Sequence, residues 1–506
     1  MSQYGAYAMA RAGRDVGDIL DHYYGGTVEE WRTTDRPVRV GICLTPSATC
    51  QPVSATWVTA VSADVRWDTC PNGTGAAPAD GVCERGTREG GQVQTRGTTW
   101  YVCPEVVAGV SQQRVQDRRC GTAGAVTHFT TTQPVIRVHH SSASTGSTVQ
   151  IEVPGPGHDV NQPRDGQKMT VLRGTHDIIR TATGPANSLV RVQNLRSVQE
   201  YLYGIAEVPA SWGPNGGTAA LEAQAVTART YGLRTFADRG HCRCDIFATP
   251  SHQAYNGRAP EVAAGGAWKA AVDATFRPDT ITGQVLTYGG QLAQTFYSSS
   301  HGGRTENSED SWAFSARLDY LRSVDDPWSL DPTPCPGSSN PCNPYRWWRA
   351  TASNAGVAAL VSETPAGTVA TVERLAVLSR SDGGTPAVLR VTGRTAAGER
   401  VTFDYAGTEG TNPKNAGSRV RLALPTVLTA RADGRTAALV RPPSSQISRF
   451  SYAPFDDDDG NVHEYAIVWA DRAGVVNGQS PTSFAPDARL RRDQMATLLF
   501  NTFDVP

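Results

Sequence analysis

The strongest order in this 506-residue chain lies between residues 195 and 238, where Leu221, Ala225, Ala228 and Gly232 recur at helical spacing and Glu222, Val226 and Arg229 line a neighbouring face. Pro209 and Pro214 separate this helix from a preceding one near Val198 to Ala206, so Glu207 falls in a tight connection between two helices. Elsewhere the pattern is short β-branched runs, and 50 Gly and 32 Pro supply the turns between them. The fold class this predicts is α+β, with mixed helices and short strands. A coiled coil is excluded.

Around that helix the chain reads in blocks. Residues 1–30 form a helical segment, Tyr7 to Tyr24, punctuated by Gly25 and Gly26. Residues 31–345 form the main region, with short strand signals such as Pro37 to Ile42 and Gln133 to Val138, and further ones at Gln284 to Tyr288 and Leu292 to Tyr297. Within it, the Gly/Thr/Cys-rich stretch 43–120 reads as disulfide-stapled loops without a core of their own. Residues 346–430 return to alternating strands with one Ala/Val-rich helix, 431–454 read as a linker, and 455–506 as a small all-α module.

Forty-seven basic residues against 48 acidic ones leave a formal charge of −1, which argues against nucleic acid as a partner. The ten cysteines lie in close pairs: Cys43 and Cys50, Cys70 and Cys83, Cys103 and Cys120, Cys242 and Cys244, Cys335 and Cys342. Such spacing points to local disulfides and an oxidising, extracellular compartment. No apolar run reaches the roughly 20 residues that span a bilayer.

Several residues carry candidate chemistry. Ile205, Val208, Pro209 and Trp212 put an apolar wall beside Glu207. Such a wall disfavours ionisation and suits a general acid, against the plainer reading of a surface carboxylate. His241, Cys242, Cys244 and His252 provide four ligands in twelve residues, which a zinc ion or a disulfide would use in different ways. Ser298, Ser299 and Ser300 precede His301, but adjacent strand residues point to opposite faces, so groove lining is preferred to a Ser/His hydrolase. The acidic run Asp456 to Asp459 lacks calcium-loop spacing and reads as a solvated helix entry.

The block Tyr201-Leu-Tyr-Gly-Ile-Ala-Glu-Val-Pro-Ala-Ser-Trp212, followed by Ala220-Leu-Glu-Ala-Gln-Ala-Val-Thr-Ala-Arg-Thr-Tyr231, resembles the SpoIID/LytB family of peptidoglycan-acting proteins. The resemblance continues through Ser251-His-Gln-Ala-Tyr-Asn-Gly257, Gly283 to Tyr288, Phe296 to Ser308 and Tyr320 to Trp328. It implies a lytic transglycosylase that cleaves MurNAc–GlcNAc bonds of peptidoglycan glycan strands, with Glu207 as catalytic residue. Gln224, Arg229, Tyr255, Ser298, Ser299, Ser300, Ser2 and Gln3 fall in the family's substrate-binding blocks. The alternative it implies is a non-catalytic glycan-binding protein that stimulates a cell-wall amidase.

Met1-Ser-Gln-Tyr-Gly-Ala-Tyr7 resembles the tail of the family's Gly-x-Gly-His-Gly-x-Gly-Met-Ser-Gln-x-Gly-Ala motif, so a clipped N-terminus with a lost signal peptide is expected. Family members often carry Lys where Glu222 stands, which suggests an altered glycan contact. Relatives that bind zinc use a His and two cysteines in the block matching 241–255; here no cysteine flanks His252, so no metal or other cofactor is carried over. Residues 455–506 resemble a single S-layer homology repeat, which implies docking to secondary cell-wall polysaccharide.

Overall fold

The computed structural model of the chain describes residues 1–42, 53–61, 65–70, 92–94, 96–140, 148–152, 168–181, 188–311, 316–363, 367–406, 416–424, 426–434, 437–440 and 447. It is α+β. Two compact units divide it, Met1–Ser299 and Ser300–Pro506.

The first unit is organised around a buried helix. Helix α1 (Gln3–Arg11) begins at Ser2, whose Oγ accepts the Gly5 N–H at 3.1 Å. Helix α2 (Val16–Tyr23) begins at Asp15, which accepts the Asp18 N–H at 2.8 Å. The single helix expected from Tyr7 to Tyr24 is therefore two: Gly13, at φ +83°, takes a left-handed turn that ends the first. Helix α3 (Val198–Tyr203) is capped by Ser197 and is shorter than its sequence signal. A 3₁₀ turn, Ala210–Asn215, leads through Gly216 and Gly217 into helix α4 (Thr218–Thr235). Helices α5 (Arg258–Val262) and α6 (Ala267–Ala274) follow.

Helix α4 is covered by α1, α2, α3, α6 and the strand Thr282–Tyr288. Ala220, Leu221, all of 223–230 and Gly232 are buried, so it is enclosed on nearly every side rather than amphipathic. Close approach explains two glycines. A Cβ on Gly217 would lie 2.5 Å from the Tyr7 ring, and one on Gly283 would lie 2.4 Å from Arg229 Nε.

Strand Val28–Thr33 pairs antiparallel with Thr282–Tyr288, tying the start of the unit to its end. The second strand expected nearby is regular only over Gln291–Leu292. A seven-stranded sheet runs in the order 246–247, 38–41, 188–195, 175–181, 135–140, 65–70, 92–94, with only the first pair parallel.

The stretch 43–120 departs most from its sequence reading. Its strands Thr56–Ala60, Thr99–Val107 and Val110–Gln116 join Thr127–Thr131, Val149–Glu152 and Lys168–Val171 in a six-stranded antiparallel sheet. Val58, Val102, Val115, Phe129, Ile151 and Met169 are buried, so the region has a core of its own. Cys103 and Cys120 form a disulfide across it, and Cys70 is also disulfide-bonded. Cys43, Cys50 and Cys83 lie outside the described residues.

In the second unit the antiparallel meander Thr371–Arg380, Pro386–Arg394, Arg400–Tyr405 packs on helices Asn354–Val361 and Ala416–Ala423, around Val361, Leu389, Val391, Tyr405 and Val420. The Ala416–Ala423 helix had no sequence signal of its own. Cys335 and Cys342 are bonded, as their spacing suggests. The segment read as a linker from 431 begins inside a hairpin, Thr426–Arg431 with Ala437–Val440. The S-layer-like module 455–506, including Asp456 to Asp459, lies outside the described residues. No helix among the described residues is long and apolar enough to cross a membrane.

Candidate active site

Glu207 sits where two distant segments meet. After α3 the chain pairs briefly with residues 254–256: Ala206 N–H donates to Ala254 O at 2.8 Å, and Asn256 N–H donates to Gly204 O at 2.7 Å. Gly204 is required there, because a Cβ would lie 2.2 Å from the Tyr255 ring. The pairing delivers the Ala254 N–H to Glu207 Oε1 at 2.6 Å.

That hydrogen bond favours the charged carboxylate, but burial outweighs it and raises the Glu207 pKa above the ordinary value. With Oε1 occupied by an N–H donor, an acid proton belongs on Oε2.

The sequence puts an apolar wall of Ile205, Val208, Pro209 and Trp212 beside Glu207. Ile205 and Trp212 are buried, but Trp212 stacks on Tyr7 at 4.5 Å, and Pro209 is exposed. The groups that sense the carboxylate are tyrosines. Burial first, then the Glu207 charge, hold the Tyr201 and Tyr297 hydroxyls well above the usual phenol range, and Tyr231 is raised mainly by burial. Gln253 joins them: Tyr201 OH donates to its Oε1 at 2.9 Å, and its Nε2 donates to Tyr297 OH at 2.8 Å and Ala228 O at 3.2 Å. Sequence reasoning missed Tyr231, Gln253, Ala254 and Tyr297. All four lie inside blocks that carry the family resemblance, which was the available signal.

The structure gathers some of the expected site residues and separates others. Gln3 N–H and Tyr4 N–H donate to the carbonyls of Ser298 and Ser299 at 2.9 and 3.0 Å, leaving both serine side chains exposed. Gln3 Nε2 donates to Gln224 Oε1 at 3.3 Å, and Gln224 Nε2 is buried with no partner among the described residues. Ser2 is fully buried as the α1 cap.

Arg229 is fully buried, and its two Nη atoms donate to Gln284 O, Gln199 Oε1, Val272 O and Thr275 Oγ1, so these donors brace the fold. The Tyr255 ring is buried and stacked on Tyr201 at 5.8 Å. Ser300 falls in the second unit, where its hydroxyl accepts from Asn343 Nδ2 at 2.8 Å. Glu222 lies two residues from Gln224, about 160° around the helix, and so faces away from the stripe that carries Gln224 and Tyr231.

The four zinc-ligand candidates do not form a metal site. Cys242 and Cys244 are bonded to each other. His252 Nδ1 accepts the Phe247 N–H at 3.1 Å, and the Arg239 guanidinium lies 3.3 Å from its Nε2. Burial and that cation push the His252 pKa down to about 4. The residues do not fit zinc, because both thiolates are consumed and both ring nitrogens are engaged.

Comparison with known proteins bears on this same region. The SpoIID family model, described as Stage II sporulation protein, matches residues 186–288, which span Glu207, α4 and Gln253. An uncharacterized protein of Brachyspira hyodysenteriae is 28% identical over 141 residues, covering 28% of this chain and 35% of that protein. Stage II sporulation protein D of Bacillus subtilis is 28% identical over 148 residues, covering 27% of this chain and 40% of that protein. The chain thus spans well under half the length of either relative. No solved structure matches it.

Proposed function

We propose that this protein acts on the glycan strands of peptidoglycan as a lytic transglycosylase, with Glu207 as its one acid/base. The observation that carries the reading is a half-buried carboxyl, raised in pKa by burial, with one oxygen held by the Ala254 N–H and the other left to exchange a proton. The similarity of residues 186–288 to a sporulation-protein family supports a cell-wall role.

Protonated Glu207 gives its proton to the bridging oxygen as the MurNAc C1–O bond to GlcNAc breaks. The resulting carboxylate takes the proton of the muramyl C6 hydroxyl, whose oxygen closes onto C1. A 1,6-anhydro sugar forms and the carboxyl ends protonated, ready for the next bond. One carboxyl serves both steps because the nucleophile belongs to the substrate; hydrolytic glycosidases that activate water or form a glycosyl-enzyme use two.

The working location proposed is extracellular and wall-associated, supported by the Cys103–Cys120, Cys242–Cys244 and Cys335–Cys342 disulfides. Docking to secondary wall polysaccharide is proposed for 455–506 on sequence resemblance. Mass spectrometry of digested glycan strands tests the reaction. Anhydro-MurNAc ends are expected, and reducing MurNAc ends would replace the mechanism with hydrolysis. Co-sedimentation without any released sugar would favour the binder that stimulates an amidase.

A further inference from the structure

The buried side chain of Gln253 fixes where three protons must lie. Its Nε2 is 3.2 Å from the Ala228 carbonyl, which only accepts, so the NH₂ end of the amide points there. Oε1 therefore faces Tyr201 and takes the Tyr201 proton at 2.9 Å. The second Nε2 hydrogen is directed at the Tyr297 oxygen, 2.8 Å away. A phenol oxygen that receives a hydrogen bond still has its own hydrogen to give, and no described residue accepts that of Tyr297.

This hydroxyl is placed by groups that also build the site. Gln253 adjoins Ala254, whose N–H holds Glu207. The Tyr297 ring meets Tyr231 edge-on at 6.4 Å, and the chain leads directly into the exposed Ser298 and Ser299. Tyr201 and Tyr297 are bound to the same amide yet end differently: the first spends its proton inside the protein, and the second keeps it.

We propose that the Tyr297 hydroxyl is a ligand-binding donor of this site, giving its hydrogen to an uncharged acceptor oxygen of the glycan bound beside Glu207. This rests on the glycan reading above and adds a specific contact to it. The donor persists across the working pH range, since burial and the neighbouring carboxylate keep the phenol from ionising.

The test is Tyr297→Phe, which removes one oxygen and keeps the ring against Tyr231. Binding is measured by calorimetry with soluble, peptide-free glycan strands, in a Glu207→Gln background so that nothing is cleaved. Turnover is measured across pH in the Tyr297→Phe single variant. Near-UV circular dichroism and Tm should match the parent. The expected result is binding weaker by about tenfold, the size of one lost hydrogen bond to a bound ligand, with the alkaline limb of the kcat/KM profile unmoved.

Equal binding by the Tyr297→Phe and parent proteins overturns the inference. A shifted alkaline limb with unchanged affinity also overturns it, because the hydroxyl would then serve the Glu207 carboxylate rather than the ligand. If the wild-type protein neither binds nor cleaves glycan, the glycan reading fails and takes the inference with it.

Discussion

Two faces of helix α4 bury polar side chains and use them in opposite ways. On one face Arg229 spends both Nη groups on four acceptors from α3, α6, the turn after it and the strand Thr282–Tyr288, and burial pushes its pKa down to about 9. On the other, about 140° to 160° around the helix, Gln224 keeps a buried Nε2 without a partner among the described residues, and Tyr231 lies within reach of Glu207's charge. Burial alone therefore does not mark a functional residue. Arg229 Nε is likewise buried without a partner among the described residues, so what separates the faces is how many donors the fold consumes, both Nη groups on one side and neither Gln224 amide hydrogen on the other.

The sharpest break in that comparison is Glu207→Gln. Loss of the proposed acid/base should cut turnover at least about a hundredfold while glycan binding persists. The wild-type rate should also fall as pH rises through the Glu207 pKa, because the first step needs the protonated form. Stability should move the other way in the variant. A carboxyl whose folded pKa lies above its unfolded value near 4.5 contributes stability below that value and loses it as pH rises through the folded pKa. The uncharged Gln variant should therefore be more stable than wild type at neutral pH, and urea melts at pH 4 and pH 7 would show the gap opening only at the higher pH.

Arg229→Met tests the opposite face. Four acceptors lose their donor, at a cost of roughly 2–4 kcal/mol read from urea denaturation, while turnover per folded molecule changes little. A variant as stable as wild type but unable to bind glycan would return Arg229 to the ligand side.

These two residues also show what the sequence could reveal. Glu207 stood out because Pro209 and Pro214 isolate it between helices, information carried within a few residues. The amide that holds it comes from Ala254, 47 positions away, and the ring of tyrosines is assembled from three separate segments. Arg229 reads as a surface or ligand residue because an arginine in a helix usually is one; its acceptors at 199, 272, 275 and 284 become visible only after folding. The six-stranded sheet was hidden for the same reason. Only the hairpin Thr99–Val107 with Val110–Gln116 is local; Thr56–Ala60 pairs with Thr99–Val107 on one side and Val149–Glu152 on the other, about 40 and 90 residues away, beyond any local window.

A smaller effect is expected at Gly204, which belongs to neither face but lets the 254–256 segment pack close beside Glu207. An added methyl would sit 2.2 Å from the Tyr255 ring and push the 254–256 segment away. Gly204→Ala should cost about 1–3 kcal/mol and lengthen the Ala254 N–H to Glu207 contact. Since that bond holds the Glu207 pKa down, its weakening should move the alkaline limb of the rate profile upward. A destabilised variant with an unmoved limb would mean that the amide positions the carboxyl without tuning it.

The smallest effect is expected at Glu222, where a lysine common in the resembling family suggested a glycan contact. Its carboxyl is half-buried, has no partner among the described residues, and is raised in pKa by burial alone. Placed about 160° from Gln224, it faces the side of α4 that Arg229 occupies, where a charge is a burden on the fold. Glu222→Gln should leave kcat/KM within about twofold and raise stability by a few tenths of a kcal/mol, the ordinary scale for a surface-edge substitution. The gain should vanish at acid pH, where the wild-type carboxyl is itself neutral. A tenfold change in glycan affinity would instead show that the ligand reaches around the helix, and the division between its two faces would fail at that residue.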